Sequence, residues 1–200
     1  PVGRGGTRFF QAEDGIRDRS PSRGLGDVYK RQDQELTLED SNQFLEFNSE
    51  NMDSKYLEKL IIDLGNDGPI FAHNASTEIK ALSYLVKRKN CIDLTDKIES
   101  IQSRIIDTAK LFRENFYNVA MMGSYSLKDI IKILPKPSLY SSENDQVGDG
   151  GDAMIKWFEY TNPNTSNEEK QKIRENLTNY CAKDTLNLYL IFKYFYSKKS

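Results

Sequence analysis

The longest regular pattern of apolar and polar residues lies at the carboxyl-terminal end of the chain, from Glu168 to Tyr196. Its apolar and aromatic residues recur at helical spacing and fall on one face: Ile173, Leu177, Tyr180, Leu188, Ile191 and Phe195. Asp184 lies inside this stripe, four residues after Tyr180. A buried ionised carboxylate is costly unless it is hydrogen-bonded, paired with a charge or bound to a metal. The pattern therefore predicts a long helix whose carboxylate needs a specific partner.

The preceding segments alternate short apolar runs with helical patterns. They predict helices over 52–64, 75–88, 96–103, 124–134 and 152–160, a buried strand over 69–74, and a strand running into a helical turn over 104–112. Strand-like pieces around a turn are predicted over 33–48, and Ser166 with Glu169 forms a capping box that begins the last helix. This alternation predicts an α/β domain, with helix in excess because its first strands are missing.

Two strings near the start of the chain change the expected domain boundaries. QAEDGIRD at 11–18 and SRGLGDVYKRQ at 22–32 resemble in-frame translations of synthetic adapter DNA used in sequencing libraries. The alternative is that this segment is a natural basic arm. In that case two unrelated strings would have to match the adapter by chance, in the correct order and reading frame. We therefore expect residues 1–32 to be an adapter-derived, disordered segment and residues 33–200 to be the natural portion.

Composition narrows the class of function. Residues 33–200 hold 21 of the 28 basic and 26 of the 30 acidic residues, a net charge of −5. This charge argues against binding nucleic acid by bulk charge, but it allows a nuclease whose metal ions supply local positive charge. The two cysteines, Cys91 and Cys181, have no metal-site spacing and are expected to be reduced thiols. No apolar run is long enough to span a bilayer, so we expect a cytoplasmic protein without a membrane partner.

Two short motifs stand on different predicted elements. Asn74-Ala75-Ser76-Thr77-Glu78 lies where a strand meets a helix, and Tyr180-x-x-x-Asp184 lies on the terminal helix. Together they resemble the second and third motifs of ribonuclease H-like 3′–5′ exonucleases of the DEDD tyrosine type. More closely, HNASTE, IIDTAKL, GSYSLK, GGDA and YCAKDT, in this order over residues 43–196, resemble the bacterial domain-of-unknown-function family 2779. The resemblance implies a ribonuclease H-like mixed sheet flanked by helices.

The resemblance also implies roles for four residues. Two Mg²⁺ or Mn²⁺ ions would stabilise the attacking water and the leaving oxygen of a phosphodiester, and such ions prefer oxygen ligands. Asp184 would bind metal directly, and Tyr180 would orient the water. Glu78 would be the second-motif metal ligand, where most of the superfamily has aspartate, so its contact is direct or through water. Asn74 would hold the strand end or contact the nucleotide.

One expected motif has no clear counterpart. These exonucleases take two more carboxylates from an Asp-x-Glu motif on an apolar first strand. Asp33-Gln34-Glu35 has these letters, but it follows the adapter junction and lacks an apolar strand before it, which indicates a chance match. We therefore expect the carboxyl-terminal portion of an exonuclease domain whose amino-terminal part is missing. The parent would act on DNA or RNA, and this chain alone would be inactive.

Each singled-out residue also has a structural alternative. Asn74 suits a helix cap, Glu78 suits the positive end of a helix dipole, and Tyr180 suits a plain core position. His73 is expected to be packed or hydrogen-bonded rather than a ligand, and Asp107 to end a strand or cap a turn. Two other functions stay open: a non-catalytic ribonuclease H-like scaffold that binds a partner domain or nucleic acid, and a generic α/β interaction module with chance motifs.

Overall fold

The computed structural model describes residues 8–12, 26–30, 42–44, 51–88, 90–134 and 150–197. Its fold is α/β and mostly helical. The strands are β1 (Arg8–Ala12), β2 (Gly26–Lys30), β3 (Asn42–Phe44), β4 (Ile70–Ala72) and β5 (Ile105–Asp107). The helices are α1 (Met52–Leu64), α2 (Ser76–Leu85), α3 (Thr95–Ser103), α4 (Thr108–Asn115), α5 (Leu127–Ile131), α6 (Gly150–Thr161) and α7 (Asn167–Ser197).

The five strands form one mixed sheet in the order β3-β2-β1-β4-β5. Strand β2 is antiparallel to both β1 and β3, whereas β1, β4 and β5 run parallel. Phe71 of β4 is aligned with Phe9 of β1 on one side and with Ile106 of β5 on the other. Parallel neighbours place the carboxyl ends of β4 and β5 at the same edge of the sheet.

Two of these strands, β1 and β2, lie within residues 1–32, which differs from the expectation of a disordered segment and of missing first strands. The physical reason is local composition. Both strands carry aromatic or β-branched residues, which favour extended backbone. Strand β4 would otherwise present an unpaired edge, and an extended segment with such residues satisfies its backbone groups.

Helices cover both faces of the sheet, as the two adjacent residues Ile70 and Phe71 of β4 show. Successive side chains of a strand point to opposite faces. Ile70 packs with apolar residues of α1, α2 and α3, such as Leu57, Leu82 and Ile98. Phe71 packs with the cluster formed by α5 and the second half of α7, and its ring centroid lies 4.8 Å from that of Phe192. The sheet is therefore the middle layer of three.

Most predicted helices are confirmed with small shifts at their ends, but α5 spans only Leu127–Ile131 of the helix predicted over 124–134. Helix α1 has the predicted bounds, and the capping box is present: Ser166 N donates to Glu169 Oε2 at 3.1 Å, and Glu169 N donates to Ser166 Oγ at 3.2 Å. Helix α6 begins at Gly150, so Asp152 lies in its first turn and is not its cap. Cys91 and Cys181 are both buried, and neither is part of a disulfide. Among the described helices, none combines the length and apolarity needed to cross a membrane.

Candidate functional site

The carboxyl ends of β4 and β5 gather polar residues at one edge of the sheet. Asp107 ends β5 and caps α4, because its Oδ1 accepts a hydrogen bond from Lys110 N at 3.2 Å. The same oxygen accepts one from Asn74 N, just beyond β4, at 3.1 Å. The expectation that Asp107 ends a strand or caps a turn is confirmed, because it does both. Asp107 therefore fixes the start of α4 and the chain after β4 relative to each other.

Asn74 presents its side chain at this edge. The residue is exposed and has a left-handed backbone with φ of 64°, a conformation that asparagine tolerates better than most residues. Helix α2 has Ala75 at its amino-terminal cap position, without a side-chain capping bond. The alternative in which Asn74 caps α2 is therefore wrong. The Asn74 amide remains available to a ligand at the carboxyl edge.

His73, buried beside Asn74, links three segments. Its Nε2 lies 2.8 Å from the carbonyl oxygen of Tyr125, so Nε2 carries the hydrogen. Its Nδ1 lies 3.0 Å from Thr108 Oγ1, which is also 3.1 Å from the carbonyl oxygen of Ala72. Burial is the main cause that lowers the pKa of His73, with the Arg113 charge adding to it, while the Tyr125 hydrogen bond and the Asp107 charge oppose the shift. The ring is a hydrogen-bonded link, as expected, and is neutral near pH 7.

Glu78 lies in the first turn of α2 and is only 2% exposed. Tyr56 of α1 is buried nearby, close to both Glu78 and the side chain of Cys181, and its pKa is raised first by burial and then by the negative charge of Glu78. The Tyr56 hydroxyl is therefore within electrostatic range of both α2 and the middle of α7. Glu78 of α2 and the middle of α7 therefore share Tyr56 as a neighbour.

Tyr180 and Asp184 occupy the same face of α7, and both are buried, Asp184 with 5% exposure. Tyr180 belongs to a cluster with Trp157 of α6. The predicted apolar stripe of α7 is confirmed, with Phe195 partly buried at its end. The carboxylate of Asp184 is thus held inside the fold on an ordered helix.

Glu78 and Asp184 supply the kind of ligand that a hard divalent cation prefers, but two carboxylates are too few to form a metal site by themselves. Carboxylate oxygens are the ligands that Mg²⁺ and Mn²⁺ prefer. Among the described residues, however, no three His, Cys, Asp or Glu side chains come together as a metal-binding group. Glu78 and Asp184 therefore offer at most part of a two-metal ligand set.

Two buried polar residues of this region were missed by the sequence interpretation. Tyr56 lies four residues before Leu60 on the inward face of α1, so its spacing was a usable signal. Asn187 is fully buried one turn after Asp184, on the face that also carries Tyr180. Its spacing of three residues from Asp184 and seven from Tyr180 likewise predicts a place in the apolar stripe.

Comparison with known proteins gives a family but no close relative. No curated protein and no solved structure matches the chain. The model of a family described as a domain of unknown function, DUF2779, matches residues 27–126, which is half of the chain. This match begins inside the segment 1–32, includes the motif from Asn74 to Glu78, and ends before Tyr180 and Asp184. The chain therefore belongs to the DUF2779 family.

Proposed function

We propose that this chain is part of a metal-dependent 3′–5′ exonuclease that hydrolyses phosphodiester bonds of DNA or RNA. The observation that carries the proposal is the burial of two motif carboxylates, Glu78 and Asp184, on separate helices. Burying a carboxylate is unfavourable for stability, and functional sites are where proteins keep such groups. Tyr56 lies within electrostatic range of Glu78 and of the side chain of Cys181, three residues before Asp184. This shared neighbour supports one common site.

The architecture supports a ribonuclease H-like fold for this domain. The resemblance implies a mixed sheet flanked by helices, and the described sheet combines antiparallel β1, β2 and β3 with parallel β1, β4 and β5. Its carboxyl edge carries Asn74 and Asp107, where α/β sheets collect ligands.

Each residue has a proposed role in this site. Glu78 and Asp184 would hold Mg²⁺ or Mn²⁺, with further ligands supplied from outside the described residues. The ions, when bound, supply the positive charge that stabilises both oxygens of the displacement. Tyr180, one turn before Asp184, would orient the attacking water through its hydroxyl. Asn74 would contact the nucleotide, because its amide is exposed at the carboxyl edge.

We also propose that residues 1–32 derive from an adapter and that the chain lacks a first-strand Asp-x-Glu. Strand β1 has the sequence RFFQA, which carries no carboxylate. This chain would then be inactive alone. The test is the sequence upstream of Asp33 in uninterrupted genomic DNA, where we expect an apolar strand followed by Asp-x-Glu. If the genomic DNA encodes residues 11–32 unchanged, this part of the proposal is refuted.

One observation favours the alternative of a non-catalytic scaffold. Within the described residues, three metal-ligating side chains do not converge. The scaffold alternative predicts that the protein has no nuclease activity even with its natural residues upstream of Asp33.

The catalytic test uses the protein with its natural residues upstream of Asp33. Release of 3′ nucleotides from a labelled oligonucleotide is measured with Mg²⁺ or Mn²⁺ and with a chelator. We expect metal-dependent release that Asp184→Asn abolishes and that Asp96→Asn, an exposed aspartate on α3, leaves intact. Equal activity of wild type and Asp184→Asn would refute the exonuclease assignment.

A further inference from the structure

Asn187 is a buried polar residue in the middle of α7. Its exposed fraction is 0%, and neither its Oδ1 nor its Nδ2 has a hydrogen-bond partner within the described part of the chain. A buried amide without partners lowers the stability of a fold, and native proteins keep few such groups. Where they are kept, a functional role or a bound water or ion is the usual reason. Asn187 therefore needs a role that the packing of the fold does not supply.

A second buried polar residue on α7 shows how this helix satisfies such groups. Thr185 is also 0% exposed, and its Oγ1 donates a hydrogen bond to the carbonyl oxygen of Cys181 at 3.1 Å. A threonine hydroxyl reaches back along its own helix in this way. Over the described residues of α7, the buried side-chain atoms that lack a partner all belong to Asn187. The unpaired amide is thus a property of this position and not of the helix as a whole.

Helical geometry places Asn187 beside Asp184. Side chains three residues apart on a helix are neighbours, with Cβ atoms about 5–6 Å apart. Asp184 is 5% exposed, so a buried carboxylate and a buried amide lie side by side on one turn of α7. Two side chains at this spacing can bind a single metal ion, as the Glu-x-x-His pairs of helical bundles do. The amide oxygen of Asn187 is therefore suitably placed to act together with Asp184.

We propose that Oδ1 of Asn187 is a ligand of the divalent cation that Asp184 holds. This inference rests on the proposed function and adds a residue to its metal site. Hard divalent cations prefer oxygen ligands, and a side-chain amide supplies such an oxygen without adding negative charge to a buried carboxylate pair. The Nδ2 hydrogens, which cannot bind a cation, are then donated to carboxylate or water oxygens around the ion. Both polar atoms of Asn187 are satisfied by this arrangement.

The test measures metal affinity and stability separately. Free Mn²⁺ is measured by electron paramagnetic resonance during titration of the full chain as wild type, Asn187→Leu, Asn187→Asp and Thr185→Val. Urea unfolding of the same proteins is followed by circular dichroism in a chelator. Leucine has a similar size and removes both polar atoms, whereas aspartate keeps the shape and an oxygen ligand. Thr185→Val is the matched control, because it removes a polar atom at the same depth on the same helix.

We expect Asn187→Leu to weaken Mn²⁺ binding about tenfold or more. Its urea midpoint in chelator should equal or exceed that of the wild type, because the variant removes an unsatisfied buried amide. Asn187→Asp should bind Mn²⁺ at least as tightly as the wild type, but it should unfold at lower urea in chelator, since it places a second buried charge beside Asp184. Thr185→Val should leave the Mn²⁺ affinity unchanged.

Unchanged Mn²⁺ affinity in Asn187→Leu would overturn the inference and assign the amide to a buried water molecule instead. No Mn²⁺ binding by the wild type, or an equal loss of affinity in Thr185→Val, would also overturn it. A tenfold loss in Asn187→Asp would contradict a ligand role, because that variant keeps an oxygen at the same position.

Failure of this inference can be told apart from failure of the proposed function. If Asp184→Asn weakens Mn²⁺ binding but Asn187→Leu does not, Asn187 is not a ligand and the proposed function is unaffected. If Asn187→Leu weakens Mn²⁺ binding but Asp184→Asn keeps full nuclease activity in the protein with its natural upstream residues, the metal ligand stands and the exonuclease assignment fails.

Discussion

The two ends of strands β4 and β5 are built from different kinds of residues. At the amino end, the guanidinium of Arg104 donates hydrogen bonds to the carbonyl oxygens of Gly65, Asp67 and Gly68 at 2.6, 2.7 and 3.0 Å. Ile70 begins β4 there in a fully apolar environment. At the carboxyl end, the same two strands lead into His73, Asn74 and Asp107.

The difference indicates which end of these strands stabilises the fold and which end carries the proposed site. At the amino end, the guanidinium is committed to backbone carbonyls, and Ile70 is committed to the core. At the carboxyl end, Asn74 is exposed, and the first turn of α2 buries the carboxylate of Glu78. Substitutions at the amino end should therefore lower stability, whereas those at the carboxyl end should change the proposed binding and catalysis.

Ile70→Ala should have the largest effect on stability. Ile70 is fully buried between α1, α2 and α3, and truncating such a residue costs about 2–5 kcal/mol in lost burial and cavity formation. Urea unfolding followed by circular dichroism measures this loss. Ile70→Val is the matched control, with a cost of about 0.5–1.5 kcal/mol. A loss below 1 kcal/mol for alanine would mean that the amino end is not the stabilising end.

Arg104→Ala should have the next largest effect. Hydrogen bonds that involve a charged group contribute about 1.5–3 kcal/mol, and the substitution leaves the carbonyls of the loop before β4 without this donor. Arg104→Lys should recover only part of the loss, because a single ammonium cannot reproduce the planar fork of donors. Denaturant unfolding of both variants is compared with wild type. Full stability in the lysine variant would contradict the role of the fork.

His73 should give a smaller, pH-dependent effect. Its folded-state pKa is lowered from 6.5 by burial, so the unfolded chain binds more protons below pH 6.5. The free energy of unfolding should be full above pH 6.5 and fall as the pH drops through the lowered pKa. His73 is the only histidine, so the pH titration of its ring resonances by NMR gives its pKa directly. Titration at or above 6.5 would contradict the burial argument.

The sequence alone predicted the elements whose structure depends on residues close together in the chain. Helix α1 has its predicted bounds because its apolar spacing stops at a run of turn residues, Gly65 to Pro69. The start of α7 was predictable because Ser166 and Glu169 satisfy each other's backbone groups locally. Asp107 was also predictable as a cap, because it stands between an apolar run and a helical turn.

The features that the sequence did not predict depend on contacts between distant parts of the chain. His73 and Tyr125 are 52 residues apart, and no local pattern encodes their hydrogen bond. The environment of Tyr56 depends on α2 and α7, which only tertiary packing brings close to it. The left-handed backbone of Asn74 was missed because a helix cap explains asparagine at that position equally well. Strands β1 and β2 were missed because their segment was set aside as adapter-derived.

Asp184→Asn should have the smallest effect on stability. Asparagine has nearly the same shape, still accepts hydrogen bonds through its side-chain oxygen and removes a buried charge from a proposed functional site, so the free energy of unfolding should change by less than about 1 kcal/mol or rise. Thermal or urea unfolding without metal tests this expectation. A loss comparable to that of Ile70→Ala would indicate that Asp184 has a structural role.

Mn²⁺ binding tests most directly whether Glu78 and Asp184 hold the same ion. Free Mn²⁺ is measured by electron paramagnetic resonance for the wild-type chain, Glu78→Gln, Asp184→Asn and the double variant. If the carboxylates share an ion, each single substitution weakens binding at least about tenfold, and the double variant loses less affinity than the sum of the two single losses, so that it binds about as well as either single variant. Losses that simply add, or wild-type affinity in both single variants, would contradict a shared metal site.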